Sequence, residues 1–475
     1  MASEIRLTAE WVAAAMSGQI AGPVGAVGGR QEFSGVSIDT RTLRAGELYV
    51  GIRGDRFDGA DFSAAAVEAG AAGLVVPRGR SEGAGRTGAT GPVVIVVDDT
   101  TVALQALAHA TRKASGTKVV AITGSAGKTT TKEVTAEFLG AKYRVIRNRG
   151  NLNNHIGLPL SLMELTARPD VAVVELGMNH AGEISTLVRV AEPDVRVWTN
   201  VGEAHLGFFS SVDAIADAKA EIFEGAAAST LLVANEDDDR IRSRTRSFAG
   251  RTVTFGMQLP ADVQAFDIAD HGIDGLSAKV MTPHGGFTLT TPLIGRGNLA
   301  NILAATAVGL EFEVPLKDMA GLAATLKPAS HRGQVIRLAR GLTVIDDSYN
   351  ANPTAMKGAI DVLRSSKTSG KRVAVLGEML ELGGHGEALH RQVGEAAAKA
   401  GVDRLVAVGG SNAAAIAQAA VMAGMSKDRV HCFHTSDEAA NAFASYVRSE
   451  DIVLVKGSRG VRTDLVVDRL KAEYA

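Results

Sequence analysis

Residues 118–139 read KVVAITGSAGKTTTKEVTAEFL: an apolar run, a glycine turn and a helical pattern in direct succession. A strand that stops in a glycine loop and restarts as a helix fits the strand–loop–helix unit of an open α/β sheet and few other arrangements. Gly124 and Gly127 let backbone N–H groups approach an anionic oxygen, and the helix start adds its dipole. Lys128 supplies a point charge for the outer phosphates of ATP, and Thr129 a hydroxyl for Mg2+. Residues 124–130, which include Ser125, Ala126 and Thr130, form a candidate ATP cradle. The spacing departs from G-x-x-x-x-G-K-[ST]: Ile122 stands where the first glycine belongs, and Gly124 comes two residues later.

A chain of 475 residues is too long for one core and suggests about three domains. Residues 1–97 mix short strands such as ELYVGI and GLVVP with a glycine-rich stretch, RGRSEGAGRTGATGP, that suits a mobile surface loop. LTAEWVAAAMSG predicts a helix with Thr8 as N-cap and Gly18 just past its end. Residues 98–326 open on a helix, DDTTVALQALAHATRKASG, and continue through KVVAIT, VAVVEL, VRVWTNV, STLLVAN and RTVTFG, each an apolar strand. That alternation predicts a mostly parallel sheet with helices on both faces, a P-loop type of ATPase domain. Residues 261–295 alternate in twos and read as an antiparallel edge, before GNLANILAATAVGLEF returns to helix. Residues 327–475 carry a second series, LTVIDD, RVAVLG, RLVAVG, RVHCFH and DIVLVKG, which predicts a Rossmann-like doubly wound domain.

A formal net charge of −2 offers no field for a polyanion, so nucleic acid is not an expected partner. The single cysteine, Cys432, excludes an internal disulfide, suits a reducing cytosol, and reads as a buried strand residue. No export signal is recognisable, and no apolar run approaches the roughly 20 residues that span a bilayer. A soluble, cytoplasmic, monomeric protein is expected.

Further polar residues stand at the carboxyl ends of strands, where open α/β sheets place their ligands. Glu175 ends VAVVEL, and His205 follows VRVWTNVGEA. Singly, a strand-end glutamate reads as solvated and a lone histidine as structural; with the glycine loop they suit a pair of Mg2+ ions around a transferring phosphoryl group. NLNNHIGLP packs Asn153, Asn154 and His155 before a helix, an expensive set to bury without a polar ligand. IDDSYNANPTAMKGAI brings Asp347, Tyr349, Asn350 and Asn352 to another strand end. Helix capping would explain part of that run, since Pro353 suits a first turn. Lys219 sits on a helical pattern whose apolar face includes Ile215 and Ile222, and spacing alone makes it a surface lysine.

TGSAGKTTTKE, NLNNHIGLP, VVELGMNHAGEI, NVGEAHL, AKAEIF, GRGNLANILAA, HRG and DDSYNANPTAMKGAI together resemble the Mur ligases in order and spacing, over nearly the whole chain. GMNHAGEI and YNANP resemble the member that joins D-alanyl-D-alanine to UDP-N-acetylmuramoyl-tripeptide, and the DNPR stretch of a sibling is absent. Members often carry a histidine where this chain has Gly297. The resemblance implies an N-terminal domain for the UDP end of the precursor, with Ser37, Thr40 and Arg41 of SIDTR near the uridine. It implies Asn153, Asn154 and His155 near the activated end of the precursor, and Tyr349, Asn350 and Asn352 near the incoming dipeptide. Thr129 and Glu175 match ligands of a first Mg2+, and His205 a ligand of a second. Lys219 matches the family's carbamylated lysine. Asn298 and Asn301 match adenine contacts, while Arg332 and Asp347 would reach the nucleotide from the third domain. A nucleotide-dependent switch and a sibling ligase with a different acceptor are the alternative readings.

Overall fold

A computed structural model of the chain describes residues 4–21, 30–80, 91–443 and 446–475. The expectation of a mobile loop in the glycine-rich stretch falls mainly on residues 81–90, outside the described residues. The predicted first helix spans Ala9–Ala15, with the Thr8 hydroxyl accepting from Trp11 N.

Three larger sheets organise the molecule. The first has five strands in the order Gln19–Ala21, Val93–Val97, Gly73–Pro77, Leu48–Val50 and Val36–Ser37, parallel except for the first pair. The second has nine. Its parallel part runs Val145–Arg147, Val171–Glu175, Lys118–Thr123, Val195–Trp198, Leu231–Asn235, Arg251–Gly256 and Val263–Asp270. The antiparallel strands Leu276–Thr282 and Gly285–Thr291 complete it, as the two-residue alternation predicts.

The central strand is apolar on both faces because both are covered. Val119 and Ala121 join the core under the helices Thr100–Ser115, Gly157–Leu162 and Glu183–Ala191. Val120 and Ile122 join the opposite core, with Val134 and Phe138 of the helix Lys128–Gly140 and Ile302 of the helix Arg296–Glu311. A parallel sheet buried on two sides demands that continuous apolar run.

The third sheet has six strands in the order Gln334–Arg337, Thr343–Asp347, Ile452–Lys456, Arg372–Gly377, Arg404–Val408 and Val430–Phe433, all parallel but the first pair. Ile452–Lys456, last in sequence, lies between the strands that precede it, so its crossover returns over the sheet and leaves a crevice at its carboxyl end. Sequence reading missed two short strands, Val145–Arg147 and Gln334–Arg337, each at a sheet edge. Cys432 corrects an expectation: it lies on a strand, Val430–Phe433, as predicted, but its side chain is exposed because, among the described residues, no further strand continues the sheet there.

Candidate active site

Strand order sets the site. Lys118–Thr123 lies between Val171–Glu175 and Val195–Trp198, so the loops leaving their three carboxyl ends converge. The glycine loop is held by the last of these. Ser125 N donates to Asn200 O (3.0 Å), Ala126 N to Asn200 Oδ1 (2.8 Å), and the Thr199 hydroxyl to Ala126 O (2.7 Å). Ser125 Oγ also donates to Gly202 O and accepts from Gly202 N. Ser125 and Ala126 therefore brace the cradle, and the N–H groups left over are those of the first helical turn, which have no intrahelical partner. Gly124 (φ 151°) and Gly127 (φ 81°) are required: a Cβ would strike Thr199 Oγ1 at the first and Asn301 Oδ1 at the second.

Lys128, half-buried, folds back so that Nζ donates to Gly124 O at 2.9 Å. Burial lowers its pKa, Glu175 opposes that shift, and the Arg332 guanidinium of the third domain adds to it. Glu175 is 3% exposed and accepts from the Thr129 hydroxyl at 2.7 Å and from Asn153 Nδ2. Its own N–H donates to Asn148 Oδ1, whose carbonyl accepts the buried Lys132 ammonium. The expected Thr129–Glu175 pair is thus brought together, and Asn153 with it.

Lys219 is not the surface residue that helical spacing suggests. It is 2% exposed in the helix Val212–Ala220, and its ammonium has no hydrogen-bond or ion-pair partner among the described residues. Burial first, then the Lys128 charge, push its pKa well below the ordinary lysine value. The turn after it is pinned: Glu221 accepts Gly182 N and Ser185 N, and buried Arg196 donates to the carbonyls of Ile222 and Glu224. His205 takes left-handed backbone (φ 63°) and places Nδ1 2.5 Å from Glu381 Oε2 in the third domain. Its pKa is lowered by burial and by the charge of Lys128, against Glu381. Among the described residues, no three His, Cys, Asp or Glu side chains are grouped to hold a metal ion. Thr129 and Glu175 are side by side, and Lys219 lies close enough to His205 for its charge to lower the histidine pKa. Such a donor set fits a hard divalent cation that takes its remaining ligands from phosphate oxygens and water.

The third domain lines the other side. Asp347 accepts the buried Lys456 ammonium at 2.6 Å across the crevice. Tyr349 lies between two guanidinium groups, Arg332 at 4.2 Å and Arg459 at 5.4 Å from its ring centroid. Other sequence-predicted residues are occupied locally. Asn352 caps the helix Pro353–Ser365 by accepting from Ala355 N, Asn350 accepts from Ala351 N, and Asn154 accepts from Ile156 N and Gly157 N. His155 is exposed. Asn301, 6% exposed, accepts from Thr131 Oγ1 and donates to Asn298, bracing the start of the helix behind the cradle. A cavity of about 520 Å³ opens beside Thr130, between Glu137, Arg147 and residues 325–329, and neither asparagine lines it. In the first domain, Ser37 Oγ donates to Asp39 O, and Arg41 pairs with the Asp39 carboxylate, whose pKa it lowers to about 2; Thr40 lies between them. Gly297 begins an exposed helical turn with open space around it, so a histidine there would meet no obstruction.

Asn200, Thr199, Glu381 and Lys456 were not found by sequence reading. Asn200 and Lys456 follow or end apolar strands, a position that marks them in retrospect; Glu381 has no such signal.

Three stretches match descriptions of one family: residues 32–112 the Mur ligase family catalytic domain, 122–309 the Mur ligase middle domain, and 331–459 the Mur ligase glutamate ligase domain. The UDP-N-acetylmuramoyl-tripeptide–D-alanyl-D-alanine ligase of Bacillus subtilis is 36% identical over 440 residues, covering 92% of this chain and 93% of that one. The chain belongs to the Mur ligases. A crystal structure of MurF from Acinetobacter baumannii superposes with a TM-score of 0.87 at 30% identity, covering 99% of this chain and 100% of the other. The MurF ligase of Thermotoga maritima in complex with ADP gives 0.80 at 29%, covering 92% and 97%. The three-domain α/β architecture of this Mur ligase is that of those structures.

One element beside the site titrates. Buried His390 accepts from Met379 N on Nε2 (2.8 Å), which leaves Nδ1 to donate to Gly386 O (2.6 Å), and burial lowers its pKa below 6.5. The unfolded chain therefore binds this proton at a higher pH than the native one does. The corresponding stability is complete above pH 6.5 and is lost as pH falls from there toward the native pKa. Urea unfolding of the third domain should lose up to about 1.4 kcal/mol per pH unit in that window, and His390→Gln should remove this part of the slope. Equal slopes in the two proteins would exclude this role for His390.

Proposed function

We propose that the chain joins D-alanyl-D-alanine to UDP-N-acetylmuramoyl-tripeptide with hydrolysis of ATP, making the pentapeptide cell-wall precursor in the bacterial cytoplasm, as a monomer. The observation that carries this reading is the convergence of the braced glycine cradle, Lys128, the Thr129–Glu175 pair and unpartnered Lys219 at one sheet end. The third domain faces them with Arg332 and Glu381. A phosphate switch needs the cradle but not the rest. The 36% identity to a ligase of that name across 92% of the chain supports the choice of substrates.

In this reading residues 1–97 hold the uridine end through Ser37, Thr40 and Arg41, residues 98–326 hold ATP, and residues 327–475 hold the dipeptide around Tyr349, Asn350 and Asn352. The base of ATP then lies beside the cradle near Asn298 and Asn301, and Asp347 and Arg332 reach the nucleotide from the third domain. Asn153, with Asn154 and His155 beside it, stands at the carboxylate to be activated. That carboxylate attacks the γ-phosphorus, ADP departs, and an acyl phosphate forms; the dipeptide amine then adds to the carbonyl, phosphate leaves, and the amine loses a proton. Lys128 is placed to meet the charge that spreads over the phosphoryl oxygens. Two Mg2+ ions, one on Thr129 and Glu175 and one on His205 and Lys219, would neutralise further charge when bound.

Lys219 suits that site only if its charge is inverted. A neutral buried amine is the form that adds CO2, and the resulting carbamate offers anionic oxygens in place of a repelling ammonium.

Sustained release of phosphate is expected only when ATP, the tripeptide precursor and D-alanyl-D-alanine are all present; equal turnover with ATP alone would replace the ligase by a switch. In the same assay Lys128→Ala should lose about 3 kcal/mol or more of transition-state stabilisation, roughly two orders of magnitude in rate.

Lys219→Ala should be nearly inactive and partly restored by acetate or formate, which fit the vacated space. Lys219→Arg should stay inactive because no carbamate can form on it. Near wild-type turnover by Lys219→Arg would withdraw the carbamate and its place at the second ion.

A further inference from the structure

One short segment of the central domain, residues 202–208, carries most of what ties that domain to the third at the site. Glu203 Oε2 accepts the Thr354 hydroxyl at 2.9 Å, His205 Nδ1 meets Glu381 Oε2 at 2.5 Å, and Gly207 N donates to Glu381 O at 2.7 Å. Gly207 and Gly383 approach so closely that a Cβ on either would press on the other's backbone. His205 and Glu381 both hold φ 63°, a backbone conformation that side chains other than glycine adopt when their surroundings impose it. The loop presenting Glu381 is itself fixed. Met379 N donates to buried His390, Leu380 N to Ser458 Oγ, and Ser458 N to Glu378 O.

The chemistry of the contact is directional. An ionised carboxylate only accepts hydrogen bonds, so a ring proton of His205 must lie on Nδ1, and in the neutral imidazole Nε2 then keeps its lone pair. Histidines that ligate metals through one nitrogen commonly hold a carboxylate on the other, which sets the ring's tautomer and orientation. We propose that Glu381 is a positioning residue for His205: its carboxylate, delivered by the third domain, fixes the imidazole with Nε2 free to ligate a divalent cation. The inference rests on the ligase reading above for the role of His205, and it adds a dependence. Because Glu381 belongs to the other domain, the histidine gains its working orientation only where the two domains meet. The phosphoryl-transfer site is thereby completed by the same contact that encloses it.

A docking contact with no effect on the ring is the competing explanation, and the ring itself discriminates. The full chain, labelled with 15N-histidine and free of nucleotide and metal, gives long-range proton–nitrogen spectra in which His205 is assigned by its loss in His205→Asn. The wild-type ring should show a single tautomer protonated on Nδ1. Glu381→Leu should show a mixture of tautomers, while Glu381→Gln, which keeps an acceptor oxygen, should retain most of the Nδ1 form. With a non-hydrolysable ATP analogue, Mn2+ binding followed by electron paramagnetic resonance should weaken about 10- to 100-fold in Glu381→Leu and less in Glu381→Gln.

An Nδ1-protonated His205 in Glu381→Leu, or Mn2+ affinity equal to wild type, overturns the proposal. If Glu381→Leu does not fold, Glu381→Asp, one methylene short of the ring, decides the same question. Wild-type turnover with both substrates is measured alongside. Its absence sinks the ligase reading, whereas the tautomer of His205 decides the role of Glu381 on its own.

Discussion

The site is organised around basic side chains that little acidic charge offsets. Among the described residues Lys219 is buried without a hydrogen-bond or ion-pair partner, and Lys128 folds back onto its own loop carbonyl, near Glu175. Arg332 lies close enough to depress the pKa of Lys128. The one buried carboxylate among them, Glu175, is already held by Thr129 and Asn153. Isolated buried charge is unfavourable, and burial pushes the Lys219 pKa well below the ordinary lysine value. Such a cluster is preorganised for an anion: oxygen atoms carrying negative charge would meet basic groups that the described side chains leave largely uncompensated.

Everything else serves to keep those cations in place without compensating them. The glycine loop cannot rest on its own backbone geometry, since both glycines hold positive φ, and it leans instead on Thr199 and Asn200 of the adjacent strand end. The helix that carries Lys219 is clamped at its end by Arg196, which is itself buried and has its pKa lowered to about 10 by that burial. Glu221 then ties the following turn to the start of the helix Glu183–Ala191. Both are charge-assisted hydrogen bonds to backbone groups, the stronger class of such bonds.

What was legible in the sequence follows from locality. Strands such as Lys118–Thr123 and Arg372–Gly377 are read to the residue because a strand buried on both faces must be apolar throughout. The pairing of Thr129 with Glu175 was legible because both sit at ends of strands or loops that the fold class brings together. Lys219 was not, since its neighbours Ile215 and Ile222 mark one buried helix face and nothing local reveals that the other is covered too. His205 and Glu381 are 176 residues apart, and no periodicity links them. At Asn352 and Asn154 polar density has a local use that periodicity does not signal: each side-chain oxygen accepts from a backbone N–H at the start of the following helix.

The interdomain contact gives the third domain a role beyond the dipeptide surface proposed for it. An acyl phosphate reacts readily with water, so a site that formed one while open would waste it. Residues 202–208 touch the third domain through hydrogen bonds of 2.5–2.9 Å and a glycine–glycine approach with no room to spare. Contacts of that length and direction weaken steeply as their partners separate. The loop at Glu381 is braced by buried His390 and by Ser458, so it arrives as a rigid body rather than adapting to what it meets. A rigid, short-range contact placed on His205 would, where that histidine serves the chemistry as proposed, turn domain position into a condition on it, so that enclosure and competence arise together.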